Sequence, residues 1–157
     1  MKILPFDTSD QKDIADFWSQ IYDELTWRVK VIDGSDDIPG FFHFPKGFFF
    51  VIKDNEGKVV GCGGVKPLND LTGIIKRFYV APLLRGKGFA KELLDKVVEE
   101  SKKKGFSKLV LDVYYTNARA SKFYEKHGFT KYKQSPNSNW EESLSPNEYF
   151  YYQLDID

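Results

Sequence analysis

Arg85-Gly86-Lys87-Gly88-Phe89-Ala90 lies between an apolar run, Ile74 to Val80, and a stretch, Phe89 to Lys104, whose apolar residues recur at three and four. The run reads as a strand and the stretch as an amphipathic helix, so the glycines form a strand-to-helix turn. A helix N-terminus carries unpaired N–H groups and about +0.5 elementary charge, and glycine lets a ligand reach them without meeting a Cβ. An anion, a phosphate above all, is expected here; a tight connection without a ligand is the plainer alternative. Two familiar phosphate loops fail. No Gly-x-x-x-x-Gly-Lys-[Ser/Thr] occurs, and neither Gly61-Cys62-Gly63 nor Gly86-Lys87-Gly88 has the third glycine of Gly-x-Gly-x-x-Gly.

Upstream of the turn, Lys2 to Phe6 reads as a short strand. Ser9 or Asp10 is expected to cap a helix bearing Ile14, Phe17, Trp18, Ile21, Tyr22 and Leu25 at helical spacing. Val29 to Gly47 has no steady period and reads as a long loop, with room for a helical turn, carrying Phe41, Phe42, His43 and Phe44. Gly47 to Lys53 and Lys58 to Lys66 flank the turn residues Asp54-Asn55-Glu56-Gly57 and predict an antiparallel hairpin. Ile74 to Val80 lies beside it, and Pro82, which has no N–H, ends that ladder.

Downstream, the helix from Phe89 buries Leu93, Leu94, Val97 and Val98 and stops at Gly105 after three lysines suited to its C-terminal dipole. Lys108 to Tyr114 is a buried strand, reached by a parallel crossover. Asn117 caps a short helix, Ala118 to His127, ended by Gly128. Phe129 to Lys133 and Glu148 to Leu154 are two last strands around a polar stretch containing Pro136, Ser138, Asn139, Pro146 and Asn147. Pattern alone reaches a mixed α/β domain.

Composition narrows the functions. A chain of 157 residues suits one domain, 1–157, that buries about two-thirds of its unfolded surface. Aromatic residues make up 17%, which argues for a large core or an aromatic-lined pocket. The 23 basic and 23 acidic residues cancel, leaving no global field to hold nucleic acid or an anionic membrane. Cys62 is alone, so no internal disulfide forms, and its glycine-flanked apolar setting marks a buried residue rather than a nucleophile. His43 and His127 are the only histidines and no cluster has metal-ligand spacing, so no metal is expected. Without a signal-like start or an 18-residue apolar run, a cytoplasmic protein is expected.

Arg85-x-x-Gly88-x-Ala90, with Lys76-Arg77-Phe78-Tyr79-Val80-Ala81-Pro82 before it, resembles the [Gln/Arg]-x-x-Gly-x-[Gly/Ala] signature of the GNAT superfamily of acetyl-CoA-dependent N-acetyltransferases. Asn117-Ala118-Arg119-Ala120, then Tyr124, then Gly128-Phe129, looks like the family's second block. The resemblance implies a GNAT fold: a mixed, mostly antiparallel sheet that splays between two parallel strands and is flanked by helices. It implies direct transfer of an acetyl group from acetyl-CoA to a primary amine of a small molecule, protein or peptide. The backbone of Phe78, Tyr79 and Val80 would then meet the pantetheine amides. Gly86, Lys87, Gly88, Phe89 and Ala90 would bind the pyrophosphate, with Arg85 adding charge, and Asn117, Ala120 and Phe123 would complete the cofactor site. Tyr124 would protonate the departing thiolate, although Ala120, Phe123, Tyr124 and His127 also suit plain core packing.

The sequence departs from the family in one respect, since Ile74 and Ile75 stand where many members place a carboxylate. Glu24, Asp112, Tyr114 or a water chain are left as candidate bases. Phe41, Phe42 and Tyr115 are expected substrate walls, with Tyr22, Trp27, His43 and Trp140 as further candidates, and Asp33, Asp36 and Asp37 could attract a cationic amine. A non-catalytic acyl-CoA-binding domain is the alternative, and the aromatic loop and late strands offer a homodimer surface.

Overall fold

Asp7 opens the first helical region, rather than Ser9 or Asp10. Its carboxylate accepts from the Ser9 N–H at 2.9 Å while the Asp10 carboxylate accepts from the Asp7 N–H at 3.0 Å, a reciprocal capping box. This geometry comes from a computed structural model, which describes residues 1–25, 34–133 and 148–157. Trp27, Asp33 and Trp140, expected near the acceptor, lie outside the described residues, as do the start of the long loop and most of the polar stretch between the last strands.

The elements in chain order are β1 (Lys2–Pro5), α1 (Gln11–Leu25), a short α2 (Ile38–Phe41), β2 (Phe48–Lys53), β3 (Val59–Pro67), β4 (Thr72–Val80), α3 (Phe89–Lys103), β5 (Lys108–Tyr114), α4 (Ala118–Lys126), β6 (Thr130–Tyr132) and β7 (Tyr149–Asp155). One sheet holds all seven strands in the order β1-β2-β3-β4-β5-β7-β6. Every neighbouring pair is antiparallel except β4 and β5. The β2–β3 hairpin turns on Asp54, whose Oδ1 accepts from the N–H groups of Glu56 and Lys58, and on Gly57 at φ 80°.

Strand periodicity sorts the core into two layers. Phe48 and Ile52 of β2 face α3 and α4, joining Leu93, Leu94, Val97, Leu109, Leu111 and Tyr124. Phe49 and Val51 face the other way, toward Ile14, Trp18 and Ile21 of α1 and Ile38 of α2. Phe42 is a correction to the expected acceptor wall. It is fully buried, its ring 5.0 Å from that of Phe49, so it is core. Gly64 allows this packing, because a Cβ there would fall 2.8 Å from the Phe42 ring and 2.5 Å from the Phe48 carbonyl oxygen.

Candidate functional site

The sheet opens between β4 and β5. Their parallel ladder consists of Thr72–Lys108, Gly73–Leu109 and Ile74–Val110, and it stops there. On its other edge β4 stays with β3 as far as Val80, opposite Gly61. Among the described residues no rung joins β4 to β5 beyond Ile74, so the two strands part there and a cleft opens between the two arms.

A bulge shapes the open arm. Cys62 lies opposite Tyr79 and Gly64 opposite Lys76, so β4 spends one residue more than β3 over this interval. Arg77 absorbs the excess at φ 56°, a left-handed conformation that costs a non-glycine residue about 1–2 kcal/mol. Its carbonyl is held by the Cys62 thiol, which donates at 3.2 Å and itself accepts from Trp18 Nε1 at 3.2 Å. The Arg77 guanidinium lies over the Phe41 and Trp18 rings, 5.0 and 5.7 Å from their centroids. Burial pushes the Cys62 thiol up to about 12 against hydrogen bonds that oppose it. The group is thus a protonated donor and a poor nucleophile.

The extra residue resets the alternation of side chains. Phe78 and Val80 now pack with the α3–α4 layer, and Tyr79 with the α1 layer. Gly63 leaves room for the Phe78 ring, which a Cβ there would meet at 2.7 Å. From α4, the Phe123 and Tyr124 rings come within 5.9 and 6.0 Å of Phe78. The structure thus brings together Phe78, Phe123 and Tyr124 beneath the cleft, with Ala120 beside them. Tyr124 is buried, and its phenol is shifted above the ordinary tyrosine range, first by burial and then by the charge of Asp112. Asn117 Oδ1 accepts from the Ala120 N–H at 3.2 Å and caps α4.

The glycine turn is exposed. Gly86 and Gly88 have φ of 75° and 88°, and a Cβ at either would meet nothing within 4 Å, so backbone handedness and not crowding demands glycine. Gly88 starts α3 with no side-chain cap, which leaves the first-turn N–H groups to solvent or a ligand. Lys87 is exposed, and Phe89 and Ala90 are half-buried.

Arg85 is committed inside the chain. Its Nη1 and Nη2 donate to the two Glu24 carboxylate oxygens at 2.5 and 2.7 Å, and its Nε donates to the Val80 carbonyl at 3.1 Å. The fork ties the last turn of α1 to the end of β4. Arg85 holds the Glu24 carboxyl below the usual carboxylate range, with Arg119 nearby adding to the effect. A carboxylate so held accepts a proton poorly, which counts against Glu24 as a base.

The face opposite α3 carries a smaller apolar cluster. Ile74, Val110 and Tyr151 pack together there with Tyr132 and Tyr149. Asp112 lies opposite Tyr151, Tyr151 opposite Tyr132, and Tyr114 opposite Tyr149, so these side chains share one face. Sequence reading overlooked this tyrosine row; its signal was the two-residue spacing of Tyr149 and Tyr151. Of the remaining expected walls, Phe41 is half-buried beneath Lys66 and Arg77, and Tyr115 is 52% exposed past the end of β5. Tyr22 is buried against Tyr79, and His43 is exposed. A separate groove lined by Leu94, Val98, His127 and Leu154 lies along α3, away from the cleft.

Residues 15–129 match the model of the acetyltransferase (GNAT) family, and the chain belongs to that family. It is 34% identical over 86 residues to the uncharacterized N-acetyltransferase YjgM of Escherichia coli, covering 53% of this chain and 52% of that protein. With the N-alpha-acetyltransferase 30 of Schizosaccharomyces pombe it shares 32% identity over 139 residues, 84% of this chain and 85% of the other. The chain spans about half the length of several of the named relatives it matches. Among solved structures, a GNAT-family acetyltransferase from Staphylococcus aureus Mu50 superposes with a TM-score of 0.89 over 99% of both chains at 21% identity. An aminoglycoside 6'-N-acetyltransferase in complex with coenzyme A superposes with a TM-score of 0.74, over 100% of this chain and 98% of that one, at 16% identity. Among the described residues, no helix is long and apolar enough to cross a membrane.

Proposed function

We propose that the chain is a single domain that transfers an acetyl group from acetyl-CoA to a primary amine. One observation carries this reading: the parallel ladder of β4 and β5 ends after three rungs and leaves the backbone of Phe78 to Val80 facing a cleft. An acyl-pantetheine arm has amides that can pair with such an edge as an added strand does. The exposed Gly86 to Ala90 turn at the N-terminus of α3 suits its pyrophosphate. A structural neighbour solved with coenzyme A, the aminoglycoside 6'-N-acetyltransferase, supports the same donor.

In this reading Arg85 serves the site chiefly as an anchor, fixing the end of β4 and the turn against α1, while backbone N–H groups meet the phosphates. Asn117 and Ala120 set the α4 end of the site, and Phe78 and Phe123 wall it. Tyr124 is protonated at physiological pH, as an ordinary phenol is, and in this reading it hydrogen-bonds to the leaving sulfur, although its raised phenol is a weaker acid than a free tyrosine. The amine nitrogen forms a bond to the acetyl carbonyl carbon, the carbon–sulfur bond breaks, and the sulfur takes the phenolic proton. The proton released by nitrogen passes to Asp112 or to water, and solvent restores the phenol.

Thermal unfolding with and without saturating acetyl-CoA tests the donor. A ligand at 100 times its dissociation constant adds about 2.7 kcal/mol, a shift of roughly 5–10 °C for this length. Free-thiol release on adding an amine then tests transfer. No thermal shift would overturn the reading.

A further inference from the structure

Helix α1 reaches the open arm of β4 at three places. Trp18 Nε1 donates to the Cys62 thiol, which holds the Arg77 carbonyl, and the Arg77 guanidinium lies over the Trp18 ring. One turn on, the Tyr22 ring stands edge-on to Tyr79, their centroids 6.3 Å apart. At the helix end Glu24 takes the fork of Arg85, whose Nε donates to the Val80 carbonyl. Contacts from Trp18 to Glu24 thus follow β4 from Arg77 to Val80, and α1 lies along the arm as a splint.

The hydrogen bonds of β4 fix which of its backbone groups face the gap. The Ala81 N–H donates to the Val60 carbonyl at 2.9 Å. Bonded and non-bonded pairs alternate along an antiparallel ladder, so Gly61 and Val80 are a non-bonded pair and Cys62 and Tyr79 a bonded one. Tyr79 therefore turns its N–H and carbonyl toward β3, whereas Phe78 and Val80 turn theirs to the other edge. The Arg77 carbonyl points the same conclusion out independently: it is aimed at Cys62, and in a trans peptide plane the Phe78 N–H is directed the opposite way. Arg85 meets the Val80 carbonyl on that open edge.

Resting on the acetyl-transfer reading, we infer that Glu24 is a positioning residue for the donor. It holds Arg85 on the Val80 carbonyl, so the donor arm pairs with the N–H and carbonyl of Phe78 and the N–H of Val80, and stops where Arg85 stands. Arg119, in the first turn of α4, adds to the need for a carboxylate here. Burial, and then the like charge of Arg85, lower the Arg119 guanidinium from its ordinary range, while Glu24 acts in the opposite sense. Without Glu24 the two guanidiniums would repel, and Arg85 would lose the fork that puts its Nε on Val80. Glu24 acts through Arg85 and touches no part of the donor.

The test measures acetyl-CoA affinity by titration calorimetry, and that of S-acetylpantetheine, which lacks the pyrophosphate, by amide NMR titration. Glu24→Ala is expected to weaken both about tenfold, because the pairing edge serves the arm that the two molecules share. Arg85→Lys should weaken both to a similar degree, since an ammonium supplies the charge but not the planar fork. Glu24→Ala combined with Arg85→Ala should be no weaker than the worse single variant. Should Glu24→Ala fail to fold, Arg85→Lys decides. Acetyl-CoA affinity unchanged or raised by Glu24→Ala, or kept by Arg85→Lys, would overturn the inference, as would losses that add in the double variant. So would a loss confined to acetyl-CoA, which would make Arg85 a phosphate ligand. An unaltered chain that binds neither molecule would instead remove the acetyl-transfer reading itself.

Discussion

The two edges of β4 do different work. Toward β3 the strand is paired as far as Val80, with a bulge whose carbonyl is held by Cys62 and whose arginine lies over Trp18 and Phe41. Toward β5 it is paired only through Ile74. In the proposed reading the β3 pairing holds the backbone of β4 in place, and the parting of β4 from β5 beyond Ile74 gives the donor its gap. Substitutions on the paired edge should therefore cost stability, whereas those around the open edge should cost activity.

Gly64→Val gives the largest expected effect. Its Cβ would sit 2.5 Å from the Phe48 backbone oxygen, which cannot swing aside. About 3 kcal/mol of stability should be lost, or a fall in Tm of about 9 °C by calorimetry. Across the cleft, Tyr124→Phe should lower kcat about a hundredfold, some 2.7 kcal/mol of barrier, with acetyl-CoA affinity and Tm nearly unchanged. Arg85→Ala removes the fork to Glu24 and the bond to Val80. It should weaken acetyl-CoA binding about tenfold by titration calorimetry, with a smaller loss of stability.

The smallest effect concerns pH. Burial pushes the Cys62 thiol from 9.0, the value of the free group, up to about 12 in the folded chain. The unfolded chain thus releases this proton first as pH rises. The stability it contributes is complete below pH 9 and is lost as pH climbs toward the folded value. Between pH 8 and pH 10 the unaltered chain should lose about 1 kcal/mol more than Cys62→Ala, read from urea midpoints at the two pH values. Tyr124, raised in the same direction, is common to both chains and cancels.

Elements with a clean period were legible before any coordinates. Lys108 to Tyr114 is β5 at both ends, and the helix expected from Phe89 ends one residue early, at Lys103. β4 starts at Thr72 and not Ile74, because Thr72 and Gly73 supply two of the three rungs to β5, a tertiary gain that local apolarity does not report. The Arg77 bulge left no local mark, since a left-handed arginine is stabilised by Cys62, Trp18 and Phe41 from elsewhere in the chain. Phe42 was misplaced for a related reason: a loop rich in phenylalanine must bury some of them, and composition does not say which. The motif pointed to Arg85 as phosphate charge, yet its partner Glu24 lies 61 residues away and is visible only in three dimensions.

Backbone hydrogen exchange with and without acetyl-CoA is the most direct test of the open edge as the donor site. Protection is expected to rise at Phe78 to Val80 and at Gly86 to Ala90, with little change along the β3-paired edge or in the groove beside α3. Protection confined to that groove, or no change at Phe78 to Val80 under saturating acetyl-CoA, would contradict the account.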